Sequence, residues 1–413
     1  MVLLVLTALL MLVGVQSALA ATLNVPADYP TIQAAVSDAA AMGDVIKIAA
    51  GTYTETGQIV IDKSLSIVGA GKTATVIKTA SDTTGSDPGR SWFLVNAGKT
   101  VNFKDLTLDG SGHTVAQAIG DKGNGTIENV KFTNIRFAKY VGAGVRIYGP
   151  GNVNVKNCEF TSMERNGVII GVGGLSGATG TFTGNTFVGD GPGDRLNYAF
   201  EVVYGALAVI ANNQVSNCGP STSGWGSSAI SVWDDPGTGA TITGNTLTDN
   251  ECGVAIAMAS GASDPVVTIG AGNVITGSAT AGIDIQDAGA PGSPAVTVSL
   301  TTITDGVDGI YVAAGNSTVN MAVHASSFSN NSGYDINNAG TGSINATNNF
   351  WGAAGGPPAV VNAASGPVAY TPWISAPTTV SSPASSNWSI AALLLAGVAG
   401  TAWFARKQSL LAT

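Results

Sequence analysis

The sequence predicts an all-β chain, a single-stranded right-handed parallel β-helix of about ten coils stacked about 4.8 Å apart, and three observations lead there. Short apolar alternations recur, with a reference residue at Phe132, Phe160, Phe187, Val215, Leu247, Ile275, Ile303, Phe328 and Phe350. One coil cannot bury its apolar side alone, so a sustained period of roughly 28 residues with strand-like runs means stacked coils. A second strand follows in most repeats: Gly167-Val168-Ile169-Ile170, Gly253-Val254-Ala255-Ile256, Gly282-Ile283-Asp284-Ile285, Gly309-Ile310-Tyr311-Val312 and Gly333-Tyr334-Asp335-Ile336. Its period of two sends the flanking apolar pair inward and the middle residue to water. Thirdly, Asn185, Asn213, Asn245, Asn273 and Asn348 each stand two residues before the reference position. Asparagine tolerates left-handed backbone and hydrogen-bonds along stacked turns, which predicts a ladder at one corner rather than a catalytic role.

Composition agrees. Charged residues are 10% of the 413 and glycine numbers 55, which disfavours a helix-rich enzyme. The net charge of -9 repels phosphate backbones, and no basic cluster with interleaved aromatics occurs, so nucleic acid is excluded as a partner. Cys158, Cys218 and Cys252 form an odd set without metal-ligand spacing and read as buried or free thiols.

Each end carries its own signals. Residues 1–20 are nearly continuously apolar and end in Ala18-Leu19-Ala20, the small-x-small pattern of a leader cut before Ala21, although a basic n-region is missing. After Tyr29-Pro30, residues 31–41 place Ile32, Ala35, Val36 and Ala39 at helical spacing with Thr31 as N-cap, a short helix fit to cap the solenoid. The β-helix should run from 21 to 374 and close on Trp351 and the turn-rich 352–358. Residues 375–387 form a Ser/Thr/Pro-rich linker, and 388–405 an uncharged apolar stretch flanked by aromatics. Arg406 and Lys407 follow, so a transmembrane helix with a cytoplasmic tail at 406–413 is expected, leaving an exported, surface-displayed, membrane-anchored β-helix.

Val25-Pro26-Ala27-Asp28-Tyr29-Pro30-Thr31-Ile32-Gln33-Ala34-Ala35, Gly43-Asp44-Val45-Ile46, Gly51-Thr52-Tyr53-Thr54-Glu55 and Ser66-Ile67-Val68-Gly69-Ala70-Gly71 resemble the N-terminal entry of the pectin-lyase-like β-helix superfamily. Asn348-Asn349-Phe350-Trp351-Gly352, Gly356-Pro357 and Val368-Ala369-Tyr370-Thr371-Pro372-Trp373-Ile374 resemble the close of its right-handed β-helix repeat surface proteins. The resemblance covers about residues 22–374 and implies the fold; it says little of activity, since the superfamily includes methylesterases, polygalacturonases, lyases and epimerases.

These chemistries make different demands on the residues. Glycoside hydrolysis needs carboxyl groups about 5–9.5 Å apart, hence acids on neighbouring coils of one face. The outward positions read Ile169, Glu201, Ser231, Ala255, Asp284, Tyr311 and Asp335, where no two acids are adjacent. His113 and His324 lack an evident partner for base chemistry. The candidate patch lies midway. Glu201, Asp234, Asp235 and Arg165, with Glu164 beside it, are the candidate catalytic groups, and Tyr198, Tyr204, Trp225 and Trp233 the candidate sugar-stacking surface. Covered core aromatics and a solvated acidic face explain the same residues equally simply. No cofactor is required; Asp190-Gly191-Pro192-Gly193-Asp194 offers oxygen ligands for Ca²⁺ but also reads as an ordinary turn. The expectation is a structural or polysaccharide-binding, adhesin-like surface protein, the alternative a lyase, epimerase or glycoside hydrolase on acidic polysaccharide.

Overall fold

The structure, a computed structural model, describes residues 20–40, 42–173, 177–233, 237–258, 264–287, 292–317, 320–356 and 368–378. Residues 1–19 of the expected leader and the whole expected transmembrane stretch fall outside these residues. Among the described residues no helix is long and apolar enough to cross a membrane.

The chain winds as a parallel β-solenoid of about 12 turns, more than the ten expected, because the turns before Phe132 stack without the later spacing. Each typical turn contributes three strands, for example Thr179–Thr183, Thr186–Val188 and Tyr198–Val202. The first two faces join in one hydrogen-bonded sheet because Val101–Asp109 and Gly125–Thr133 run around the corner between them. The third face is a separate sheet, eleven strands among the described residues. All strand pairs between successive turns are parallel, as in Phe160 beside Phe187 and Phe187 beside Val215.

One corner carries the asparagine ladder. Asn213 Oδ1 accepts from the Asn185 backbone N at 2.9 Å and its Nδ2 at 3.0 Å, while Asn213 Nδ2 donates to Phe182 O and Asn245 Oδ1. Asn245 repeats this with Asn273. The left-handed backbone lies one residue earlier, at Gly184 (φ 66°), Asn212 (φ 56°), Gly244 (φ 66°) and Asn348 (φ 62°). Accordingly the last rung is Asn349, which accepts from Ser326 N, and not Asn348. The reference residue there is Trp351, buried and stacked on Phe328 with centroids 5.2 Å apart, instead of half-buried Phe350. Adjacent asparagines in different roles hid this one-residue slip.

Near the start, Ile32–Asp38 forms the expected helix; Thr31 Oγ1 accepts from Ala34 N, and Ile32, Ala35 and Val36 join the solenoid core. At the other end Ile374 N donates to Asn349 O and Thr378 Oγ1 to Ala325 O. The three cysteines are free and buried, and burial pushes the Cys158 thiol up to about 12.

Candidate functional site

The third face departs from the expected alternation. Its inward row, Phe93, Ile119, Val145, Val168, Phe200, Ile230, Val254 and Ile283, is fully buried as expected. Its middle residues are not in water: Ile169, Glu201, Ser231, Ala255 and Asp284 all lie below a tenth exposed. Side chains of neighbouring turns roof this sheet, with Ala143, Tyr148, Ile169, Val172 and Val203 forming an outer apolar cluster against which Trp233 packs, so polar groups here are enclosed. The register also replaces one expected member, since Tyr311 pairs with Asn337 and not Asp335.

Glu201, 1% exposed, sits in the Tyr198–Val202 strand beside Ile169 and Ser231. Its Oε1 accepts from Arg165 Nη2 at 3.0 Å and its Oε2 from Asn166 Nδ2 at 2.7 Å. The Arg165 guanidinium lies 5.3 Å from the Tyr198 ring centre, and Tyr198 Oη donates to Gly226 O at 2.9 Å. Burial, then the Glu201 charge, pushes the Tyr198 phenol up. Both carboxylate oxygens of Glu201 are thus occupied by this chain's own donors, an arrangement that fixes the strand ends.

Beside this cluster Tyr198, Trp225, Gly226, Ser231, Trp233, Ala255, Ala257 and Gln286 line a shallow recess of about 20 Å³. Trp225 stands 57% exposed, its ring 5.8 Å from that of Trp233 at 38°. An exposed indole paired with a partly buried one, beside buried hydrogen-bonding groups, suits a ligand with apolar C–H faces and hydroxyl edges. Tyr204 is not brought in; it is on the turn past the other end of the Tyr198–Val202 strand, about 20 Å along the chain from Tyr198. Asp234 and Asp235 lie outside the described residues.

Two groups stand outside the candidate set, Asp284 being expected only as a water-facing member of the outward row. Asp284 accepts from Gln286 Nε2 at 2.9 Å and Cys252 Sγ at 3.5 Å, its other oxygen is buried without a partner, and burial raises its pKa. Further up the face, Asp87 accepts from Gln117 Nε2 at 2.6 Å and pairs with Arg146 Nη2 at 3.0 Å; Gln117 Oε1 accepts from Tyr148 Oη at 2.9 Å. Extending the outward row upstream of Ile169 would have reached Arg146, its partner in register.

The geometry lends the Ca²⁺ reading no support. Asp190 faces Arg136 and Arg195, and Asp194 faces Lys139 Nζ at 2.8 Å, so cationic side chains already meet both carboxylates. Among the described residues no group of three or more acidic, histidine or cysteine side chains is placed to hold a metal. Both histidines have partners after all: His113 Nδ1 is 3.3 Å from Asp82 Oδ1 and His324 Nδ1 2.9 Å from Thr347 O.

Solved structures share this architecture. The catalytic domain of a GH87 alpha-1,3-glucanase in complex with nigerose matches with TM-score 0.55 and 16% identity, over 87% of this chain and 68% of that one. The mannuronan C-5 epimerase AlgE4 A-module of Azotobacter vinelandii matches with TM-score 0.55 and 15% identity, over 86% of this chain and 94% of that one. At such identities the likeness is one of fold. No curated protein sequence matches significantly. The family described as "Right handed beta helix region" matches residues 91–268 and again 197–351, together more than half of the chain. The chain therefore belongs to the right-handed β-helix family, within the pectin-lyase-like group of folds.

Proposed function

We propose that this protein binds a polysaccharide along the third face of its solenoid, with Trp225 and Trp233 as the sugar-stacking surface. The observation that carries this is the pairing of exposed Trp225 with partly buried Trp233, which line a recess together with Ser231 and Gln286. The apolar leader and the apolar 388–405 stretch support an exported, membrane-anchored protein acting outside the cell. The buried face of the Ile32–Asp38 helix supports its reading as a cover for the first coil.

A second reading, toward which the fold likeness leans, is turnover of the bound chain as a lyase, epimerase or hydrolase. Its support in the residues is Asp284, a carboxyl that burial holds toward the protonated form, next to a recess-lining glutamine. Against a hydrolytic pair, Glu201 and Asp284 are three coils apart in register, about 14 Å, beyond the span that such pairs use. Glu201 is moreover held by Arg165 and Asn166.

The deciding experiment incubates the protein with an array of neutral and acidic polysaccharides and reads both retention and new reducing or unsaturated ends. Trp225→Ala and Trp233→Ala should each weaken retention about tenfold, ~1.4 kcal/mol. Products that vanish in Asp284→Asn would establish the second reading. Retention unaffected by either tryptophan substitution would remove the proposed site.

A further inference from the structure

Asp44 receives the chain at the first strand of the solenoid. It is 3% exposed; Oδ1 accepts from Ala21 N at 2.7 Å and Oδ2 from Ala40 N at 2.6 Å. These two backbone bonds hold its carboxyl below the usual range. The nearby cation, Lys63, donates to Ser37 O at 2.7 Å, and no ion pair to Asp44 occurs among the described residues. Ala21 is fixed from its other side too, because its carbonyl accepts from Val45 N at 2.8 Å. Its place at the edge of the first sheet is thus set by residues after it, and Thr22 already pairs with Val45. Ala20 and Ala21 are themselves exposed.

From this geometry we infer that Asp44 is a receptor for a free α-ammonium group at Ala21, so that removal of the leader at the Ala20–Ala21 bond completes the first coil with an ion pair. The inference rests on the export reading for its cleavage step, and on Asp44 alone for its charge step. Peptide hydrolysis at Ala20–Ala21 adds one water: the carboxylate leaves on Ala20 and the amine on Ala21 takes a proton. An uncut chain offers Asp44 only a neutral N–H, whereas the cut chain offers a charge-assisted bond at the same point. The amine gains a partner on folding, so its folded pKa rises above the unfolded value of about 7.7–8.0. The stabilisation is complete below that value and is lost as pH rises through the folded one.

The test uses the full chain recovered from an exporting host. Intact mass should show a chain beginning at Ala21; a mature chain beginning elsewhere overturns the cleavage step. The processed protein is then compared with its α-N-acetylated form, made near neutral pH where the α-amine reacts ahead of lysine. Acetylation keeps the N–H donor and removes the charge. The free form should melt higher at pH 6, the two should converge above about pH 9, and Asp44→Asn should abolish the difference. Equal melting at pH 6 overturns the charge step. A chain that stays uncut inside the cell defeats the export reading instead. The charge step is then read on chain purified after an engineered protease cut before Ala21.

Discussion

Asp121 stands two residues beyond Ile119, on a second inward-facing row of the third face, between buried Val95 and Ile147 in register. Oδ1 accepts from Gly123 N at 2.7 Å, but Oδ2 is buried without a partner, and burial pushes the carboxyl up to about 7. A folded pKa above the unfolded one means the charged form opposes folding. Below about pH 4 both states hold the proton and nothing is lost; between about pH 4 and 7 stability falls, by up to ~4 kcal/mol. Asp121→Asn keeps the acceptor for Gly123 N and removes this slope. In urea denaturation at several pH values its advantage over the wild type should grow from pH 4 to 7 and then level off; a gap independent of pH would contradict the assignment. At this scale the sequence was partly readable. Exposed Trp225 and paired Trp233 could be singled out because aromatics in a long repeat are conspicuous. Nothing local marked Asp121 or Asp284, because their burial is created by residues one or more coils away.

At the scale of the strand, a row of small residues opens the third face: Gly144, Gly167, Ala199, Ala229, Gly253, Gly282 and Gly309. A Cβ on Gly167 would lie 2.6 Å from Ala199 O and 2.9 Å from Phe187 Cδ2, and one on Gly144 2.8 Å from Phe160 Cε1. The large reference residues of the second face thus lean into space that only a small neighbour leaves. Gly167→Ala should cost about 1–3 kcal/mol, seen as a lowered thermal midpoint with the fold retained. Gly173→Ala meets Tyr148 Cδ1 at 3.5 Å, an ordinary contact among the described residues, so its cost reads the strain of a positive φ (92°) apart from the clash at Gly167. The apolar period of two was legible for inward residues because it depends on the strand alone. The fate of the outward residues was not, because the roof over Glu201 and Ser231 belongs to other turns.

Across the whole solenoid the repeat is a unit of construction. Leu300 (φ 50°) and Ala325 (φ 50°) occupy the same left-handed corner, and Thr301 and Ser326 the following rung. Deleting Thr301 through Ala325 joins equivalent points and leaves the Trp225–Trp233 recess untouched. The shortened chain should retain its circular-dichroism spectrum and glycan retention, with a smaller denaturant slope in proportion to the lost turn. Deleting Thr302 alone reverses which side chains face inward and should abolish cooperative unfolding. The number of turns was underestimated from sequence because the turns before Phe132 lack the asparagine-aromatic signature, although they stack by the same parallel pairing. The asparagine ladder has a further consequence, which concerns descent. The backbone N–H of Asn185, Asn213, Asn245, Thr301 and Ser326 each donates to the side-chain oxygen of the next rung, so a segment cut at equivalent corners meets the following turn with matching donors and acceptors. Unequal recombination between repeats would therefore yield folded products of different lengths, and lineages of this protein can vary in reach by whole turns while the recess stays intact.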